Sequence, residues 1–152
     1  RSLDSKRHVS QDWVKQFHAQ ICGDIPEGWR VCGENLYMSH TLLYTDLPTY
    51  FLGFSVWNEY NECLGWDETL EWFELLGITP VNILYDGIYG EQLIKSLWNP
   101  EYLGKKEGYV VRVADRFSAK DFRHKVGKFV AKGFDNTHAF FRGINAKNEL
   151  AK

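Results

Sequence analysis

The chain has 152 residues, 44% of them hydrophobic, with 20 acidic and 18 basic side chains for a net charge of −2. That length suits one domain with a real core, and that hydrophobic share excludes a disordered segment. No apolar run approaches the roughly 18 residues of a helical membrane span, and so small a net charge names no partner by itself.

Taken in chain order, Ser10 reads as an N-cap followed by Trp13, Phe17 and Ile21 at helical spacing, with Gly23 and Pro26 as the stop. Trp29 to Tyr37 reads as a strand carrying Glu34 near its end. Thr49 to Trp57 is aromatic and β-branched, the pattern of a buried strand. Asp67 is placed to cap a second helix with Leu70, Phe73 and Leu76 on its core face and Gly77 beyond its end. Pro80 to Tyr85 reads as a short strand and Glu91 to Trp98 as a short helix. Glu107 to Ala114 is a strand, Ser118 caps a helix through Phe122 and Val126, and Lys128 to Ala131 is a last strand. The polar final 15 residues read as a frayed helix. Strands that follow one another through loops favour an α+β fold with mostly antiparallel sheets and flanking helices over a doubly wound one.

Cys22, Cys32 and Cys63 are widely spaced with no C-x-x-C pair, which argues against zinc and for buried free thiols in a reducing cytosol. The expected location is therefore cytoplasmic, without a membrane. The six tryptophans are expected in or near the core, and none of the five histidines shows metal spacing. Between Asn58 and Leu76 there are six acids and no base, while Lys120 to Lys132 holds five bases against Asp121. The bland account of each run is a solvated face; a local basic stretch also suits phosphates.

Several fragments carry chemistry. Glu107 and Gly108 open a β-branched strand, and Arg112 follows four residues after the glycine. Glu107 can hold Mg²⁺ (or Mn²⁺), or it can be a surface turn beside Lys105 and Lys106. Gly108 would let the main chain approach a ligand closely. Glu34 can accept a ribose hydroxyl or be an exposed strand terminus, and Phe54 can stack on a purine or fill the core. Lys128 starts an apolar strand, an odd place for a lysine unless it faces an anion; Lys125 and Lys132 flank it. Arg1 and Arg112 can fork onto phosphate or form structural ion pairs.

In this order, Arg1-Ser2, Val31-Cys32-Gly33-Glu34, Leu52-Gly53-Phe54-Ser55-Val56, Glu107-Gly108-Tyr109-Val110-Val111-Arg112 and Lys128-Phe129-Val130 resemble the motifs of the ATP-dependent RNA ligases of the double-strand, nick-sealing type. The resemblance runs from Arg1 to about Gly133. It implies a covalent nucleotidyltransferase (ligase adenylation) domain over residues 1–152, with 134–152 a C-terminal extension. It further implies ATP and Mg²⁺ as cofactors, and RNA ends or a nicked duplex as partner. On that pattern Arg1 contacts phosphate, Glu34 the ribose and Phe54 the adenine, Glu107 supports the metal, and Lys128 binds phosphate as a catalytic lysine. The family's second lysine, two residues on, is Val130 here, which leaves Lys132 as the substitute.

The family's defining K-x-D/E-G motif supplies a lysine that attacks the α-phosphate of ATP. Lys105-Lys106-Glu107-Gly108 matches it formally, but only 44 residues follow Gly108, and they hold no second E-G strand for the later motifs. Reading Glu107 as the metal motif gives every other motif a partner. The expectation is therefore an N-terminally incomplete domain whose nucleophilic lysine lies upstream of Arg1, with Lys105 as the fallback. The alternatives are a non-catalytic RNA- or nucleotide-binding module, a protein-interaction domain using the acidic Glu59–Glu74 face, and a DNA ligase or capping-type nucleotidyltransferase.

Overall fold

The computed structural model describes residues 9–39, 42–102, 105–131 and 146–152. The helical spacing of Trp13, Phe17 and Ile21 is realised in α1, Val9–Ile21, which opens ahead of Ser10 and so leaves that serine inside the helix. A 3₁₀ turn at Cys22–Asp24 leads to β1, Arg30–Asn35, which pairs antiparallel with β2, Phe51–Trp57. The short strands β3, Glu62–Cys63, and β5, Phe117–Ser118, complete a sheet of order β1-β2-β3-β5.

Strand alternation divides this sheet into two faces. Val31, Gly33 and Asn35 lie with Val56, Gly53 and Phe51 on one face. There α1 and α2, Trp66–Leu76, bury them in a core of Val56, Leu64, Phe73, Leu76 and Ile78. Arg30, Cys32 and Glu34 lie with Trp57, Ser55 and Leu52 on the other face, over a smaller core of Trp57, Cys63 and Phe117.

A second, two-stranded ribbon joins β4, Gly108–Arg112, to β6, Val126–Val130, antiparallel. On its outer face Tyr109 and Phe129 stack at 4.8 Å, and Trp98, which follows α3 (Glu91–Ser96), covers them with ring contacts of 6.2 and 5.3 Å. On its inner face Arg112 pairs with Val126, and Val126 packs on the Trp57–Cys63–Phe117 cluster. The ribbon therefore covers the face of the large sheet that carries Glu34.

Arg112 braces the two sheets. Its Nη1 donates to the Phe54 carbonyl at 3.3 Å, its Nη2 to the Leu64 carbonyl at 2.9 Å and its Nε to the Val113 carbonyl at 3.2 Å. The guanidinium also lies over Trp66 and Phe117, at 5.4 and 5.6 Å. Burial pushes the Cys63 thiol above its usual range, and the neighbouring Arg112 pulls against that shift.

The architecture is α+β with antiparallel sheets, as expected, and the three cysteines are free. Several expectations need correction. Cys22 is exposed rather than buried, because it sits in the 3₁₀ turn beyond the amphipathic part of α1. The cap of α2 is Gly65, whose N–H donates to Glu68 at 3.1 Å, so Asp67 lies in the first turn. Gly77 ends α2 in the left-handed conformation, as its residue type allows. Pro80 to Tyr85 is not a strand. Thr79 and Val81 bond both polar groups of Gly53, after which Ile83, Leu84 and Tyr85 run exposed and have no partner strand among the described residues. Ser118 caps a 3₁₀ turn, Ala119–Asp121; α4 is only Phe122–Lys125, and Val126 already belongs to β6. Residues 146–152 are extended rather than helical, because their main chain bonds across to the β1–β2 loop. Among the described residues no helix is long and apolar enough to cross a membrane.

Arg112→Ala is expected to lower stability by about 1.5–3 kcal/mol, the range for hydrogen bonds to a charged group, here with one exposed and two part-buried acceptors. Urea unfolding would measure it. Arg112→Lys should not restore the loss, since one ammonium cannot fork across the Phe54 and Leu64 carbonyls.

Candidate functional site

The ribbon and the large sheet meet at one end and part at the other. Val126 and Arg112 close the gap, whereas Val110, on the same ribbon face, is 61% exposed, and its partner Lys128 is exposed too. The ribbon is thus held to the sheet at its Arg112 end and open to solvent at its Val110 end, a wedge in outline. Lys128 lies on the ribbon wall, and Glu34 lies on the sheet wall near the end of β1. Among the described residues, no carboxylate forms an ion pair with Lys128.

Glu107 stands at the entry to β4. Its carbonyl accepts the Ala131 N–H at 2.8 Å, tying it to the end of β6. The close approach that Gly108 permits is to β6, because a Cβ there would lie 2.0 Å from the Phe129 carbonyl oxygen. Lys105 is exposed in the preceding turn, where its N–H donates to the Tyr102 carbonyl at 2.8 Å. Lys106 lies 4.4 Å over the Tyr102 ring.

Glu34 and Glu107 belong to different sheets and are far apart in sequence, yet both act on Tyr44. Burial is the main reason that phenol is pushed above its usual range, and the charges of Glu107 and Glu34 push it further the same way. Both carboxylates therefore lie within electrostatic reach of this one tyrosine. Tyr44 lies in the β1–β2 loop, outside any periodic pattern, and nothing in the sequence singles it out beyond its place shortly after Glu34.

Phe54 is 40% exposed in the middle of β2. The pairing steps from Cys32↔Ser55 directly to Gly33↔Gly53, so Phe54 is the extra residue of a β-bulge. A bulge takes one residue out of the ladder and re-aims its side chain, the local reason an apolar strand presents an aromatic to solvent. Lys125 ends α4, and with exposed Lys120, Arg123 and His124 it continues the basic surface towards Lys128. Arg112 reaches main-chain carbonyls rather than the open mouth. Arg1 and Lys132 lie outside the described residues.

Among the described residues no three His, Cys, Asp or Glu side chains come together as a metal site. Glu107 with or without Glu34 is still a workable donor set for Mg²⁺, which commonly takes one or two carboxylates and completes its shell with phosphate oxygens and water. A separate hollow of about 300 Å³ lies at the start of α2, between Trp66, Glu68, Asp86 and Asp115. It shares no lining residue with the wedge, and Arg116 spans its rim to pair with Glu68, which accounts for it structurally. The wedge is the stronger candidate, because cation, carboxylates and exposed aromatic come to it from separate elements.

The family model described as RNA ligase matches residues 1–132. No curated protein and no solved structure matches the chain. The matched span holds β1 through β6 and every residue singled out from the sequence, from Arg1 to Lys132. On that match, the chain belongs to the RNA ligase family.

Proposed function

We propose that this chain is the nucleotide-binding body of an ATP- and Mg²⁺-dependent RNA ligase that seals nicks in duplex RNA. The observation that supports the reading is that Glu34, Phe54, Glu107 and Lys128 all stay exposed within the span that the RNA ligase family model matches. Phosphoryl chemistry is mostly positioning and charge neutralisation, so its groups must come together from separate elements.

In this reading a lysine Nζ attacks the α-phosphorus of ATP, a P–N bond forms and pyrophosphate leaves. The 5′-phosphate of the RNA then takes the AMP and frees the lysine. Finally a 3′-hydroxyl attacks that phosphate and AMP departs. Phe54 stacks on adenine, Glu34 accepts a ribose hydroxyl, and Glu107 holds the metal against the phosphates. Lys128 neutralises phosphate charge, joined on the motif pattern by Arg1, Lys125 and Lys132. Arg112 holds the ribbon against the sheet through three of its five N–H donors. Motif order assigns the nucleophile to a lysine preceding Arg1 in the encoded polypeptide, and not to Lys105.

A non-catalytic RNA-binding module is the second reading, favoured by the exposed basic run from Lys120 to Lys128. It predicts binding that weakens steeply with salt and ignores Glu107.

Intact mass after incubation with ATP and Mg²⁺ tests the first reading. AMP should appear on the full encoded polypeptide and not on this 152-residue chain. AMP on the 152-residue chain itself would make Lys105 the nucleophile, and AMP on neither would favour the binding module. Glu107→Ala is expected to abolish the Mg²⁺-dependent steps while leaving the unfolding transition in place, since its side chain is exposed. Phe54→Ala should weaken ATP binding by roughly 1–3 kcal/mol, the size of an aromatic–base stack; a fluorescence titration would read it.

A further inference from the structure

Residues 146–150 lie beyond the family match, yet they are built into the loop that precedes the site. Met38 bridges Lys147 antiparallel, and Leu47 bridges Leu150 in parallel. The Ala146 carbonyl accepts both the Ser39 N–H and its hydroxyl, at 2.8 and 3.0 Å. Lys147 sits over the Tyr37 and Tyr50 rings, at 4.8 and 5.2 Å.

Asn148 is the centre of this segment and is 1% exposed. Its Oδ1 accepts the Tyr44 N–H at 2.9 Å, and its Nδ2 donates to the Leu36 carbonyl at 2.8 Å. Its own N–H donates to the Tyr37 carbonyl at 3.1 Å, and its carbonyl accepts the Tyr50 hydroxyl at 3.1 Å. One residue therefore gathers the start of the β1–β2 loop, its middle and its end. The start follows Glu34 by two residues, the middle is Tyr44, and the end adjoins β2 and its bulge. The adjacent Glu149 N–H adds a bond to the Tyr44 carbonyl at 2.9 Å, so both polar main-chain groups of Tyr44 are held by the segment.

We propose that residues 146–150 are a positioning strap for the nucleotide site, with Asn148 as the clasp that sets the β1–β2 loop and holds Glu34 and the Tyr44 phenol at the mouth of the cleft. The inference rests on the ligase reading above. Tyr44, its main chain fixed by the strap, offers its hydroxyl to the nucleotide. Asn148 touches no nucleotide itself and acts through the loop.

The test compares Asn148→Ala and Tyr44→Phe with the unsubstituted full polypeptide. Three quantities are measured: ATP·Mg²⁺ affinity, hydrogen exchange, and the rate of sealing a nick that already carries AMP. Asn148→Ala should weaken ATP binding by about tenfold, the loss of one set of buried hydrogen bonds. Exchange should quicken over residues 36–50 while α2 and β2 stay protected, and the sealing rate at saturation should change far less than ATP affinity. Tyr44→Phe should weaken ATP binding severalfold and leave exchange unchanged. ATP affinity unaltered in both variants would overturn the proposal, as would protection lost evenly through the core with affinity per folded molecule retained. If Asn148→Ala does not fold, Tyr44→Phe decides, and normal ATP affinity there overturns the proposal. Absence of ATP binding in the unsubstituted protein sinks the ligase reading and the strap with it, an outcome distinct from a loss confined to the variants.

Discussion

The Arg112 guanidinium is the contact on which the arrangement of the two sheets depends. A β-bulge takes Phe54 out of the ladder, and the Phe54 carbonyl accepts from Arg112. Buried carbonyls need donors, and a planar cation with several N–H groups can serve more than one at once. Arg112 serves this carbonyl and that of Leu64 from the neighbouring ribbon, so the irregularity in one sheet is satisfied by the other. The bulge and the brace explain each other. The first exposes an aromatic ring, and the second keeps the ribbon close enough to make a cleft beside it.

The same brace explains why the cleft is a wedge. Val126 and Arg112 hold the sheets together at one end, with Trp57, Cys63 and Phe117 beneath them. Nothing equivalent acts at the Val110 and Lys128 end among the described residues. Charged and polar groups occupy the open end because a lysine and two glutamates there keep their hydration. Pushed further in, they would face an apolar floor and a large desolvation penalty.

Much of the fold was legible from periodicity. The helical spacing in α1, the β-branched strands β1, β2 and β4, and the Gly77 stop all follow from local rules that the tertiary structure leaves intact. The failures share a cause. The apolar run from Pro80 to Tyr85 matches a strand, but strand formation needs a partner edge, and it meets Gly53 alone. The polar tail looked frayed because its stabilisation comes from a carbonyl and a hydroxyl of a loop about a hundred residues away, which no window of sequence displays. The bonds of Arg112 to main-chain oxygens were not readable, because such oxygens are present at every residue and therefore silent in a sequence. Glu34, Glu107 and Lys128 were readable through their motif neighbours, and all three are exposed. Tyr44 and Asn148, which complete that neighbourhood, carry no motif.

The long reach of the Asn148 contacts has a kinetic consequence. Tyr44 and Asn148 are separated by 104 residues, and Leu36 and Asn148 by 112. Bonds of such separation close late, because the chain between them must first be ordered. During synthesis at about 5–20 residues per second, Tyr44 waits roughly 5–20 s for its partner even to be made. Through that interval the large sheet and its helices can already be in place while the loop beside Glu34 is still unclasped. The last part of the molecule to become native is then the loop that follows Glu34, and a nascent chain that has not yet made Asn148 lacks the bonds that set that loop.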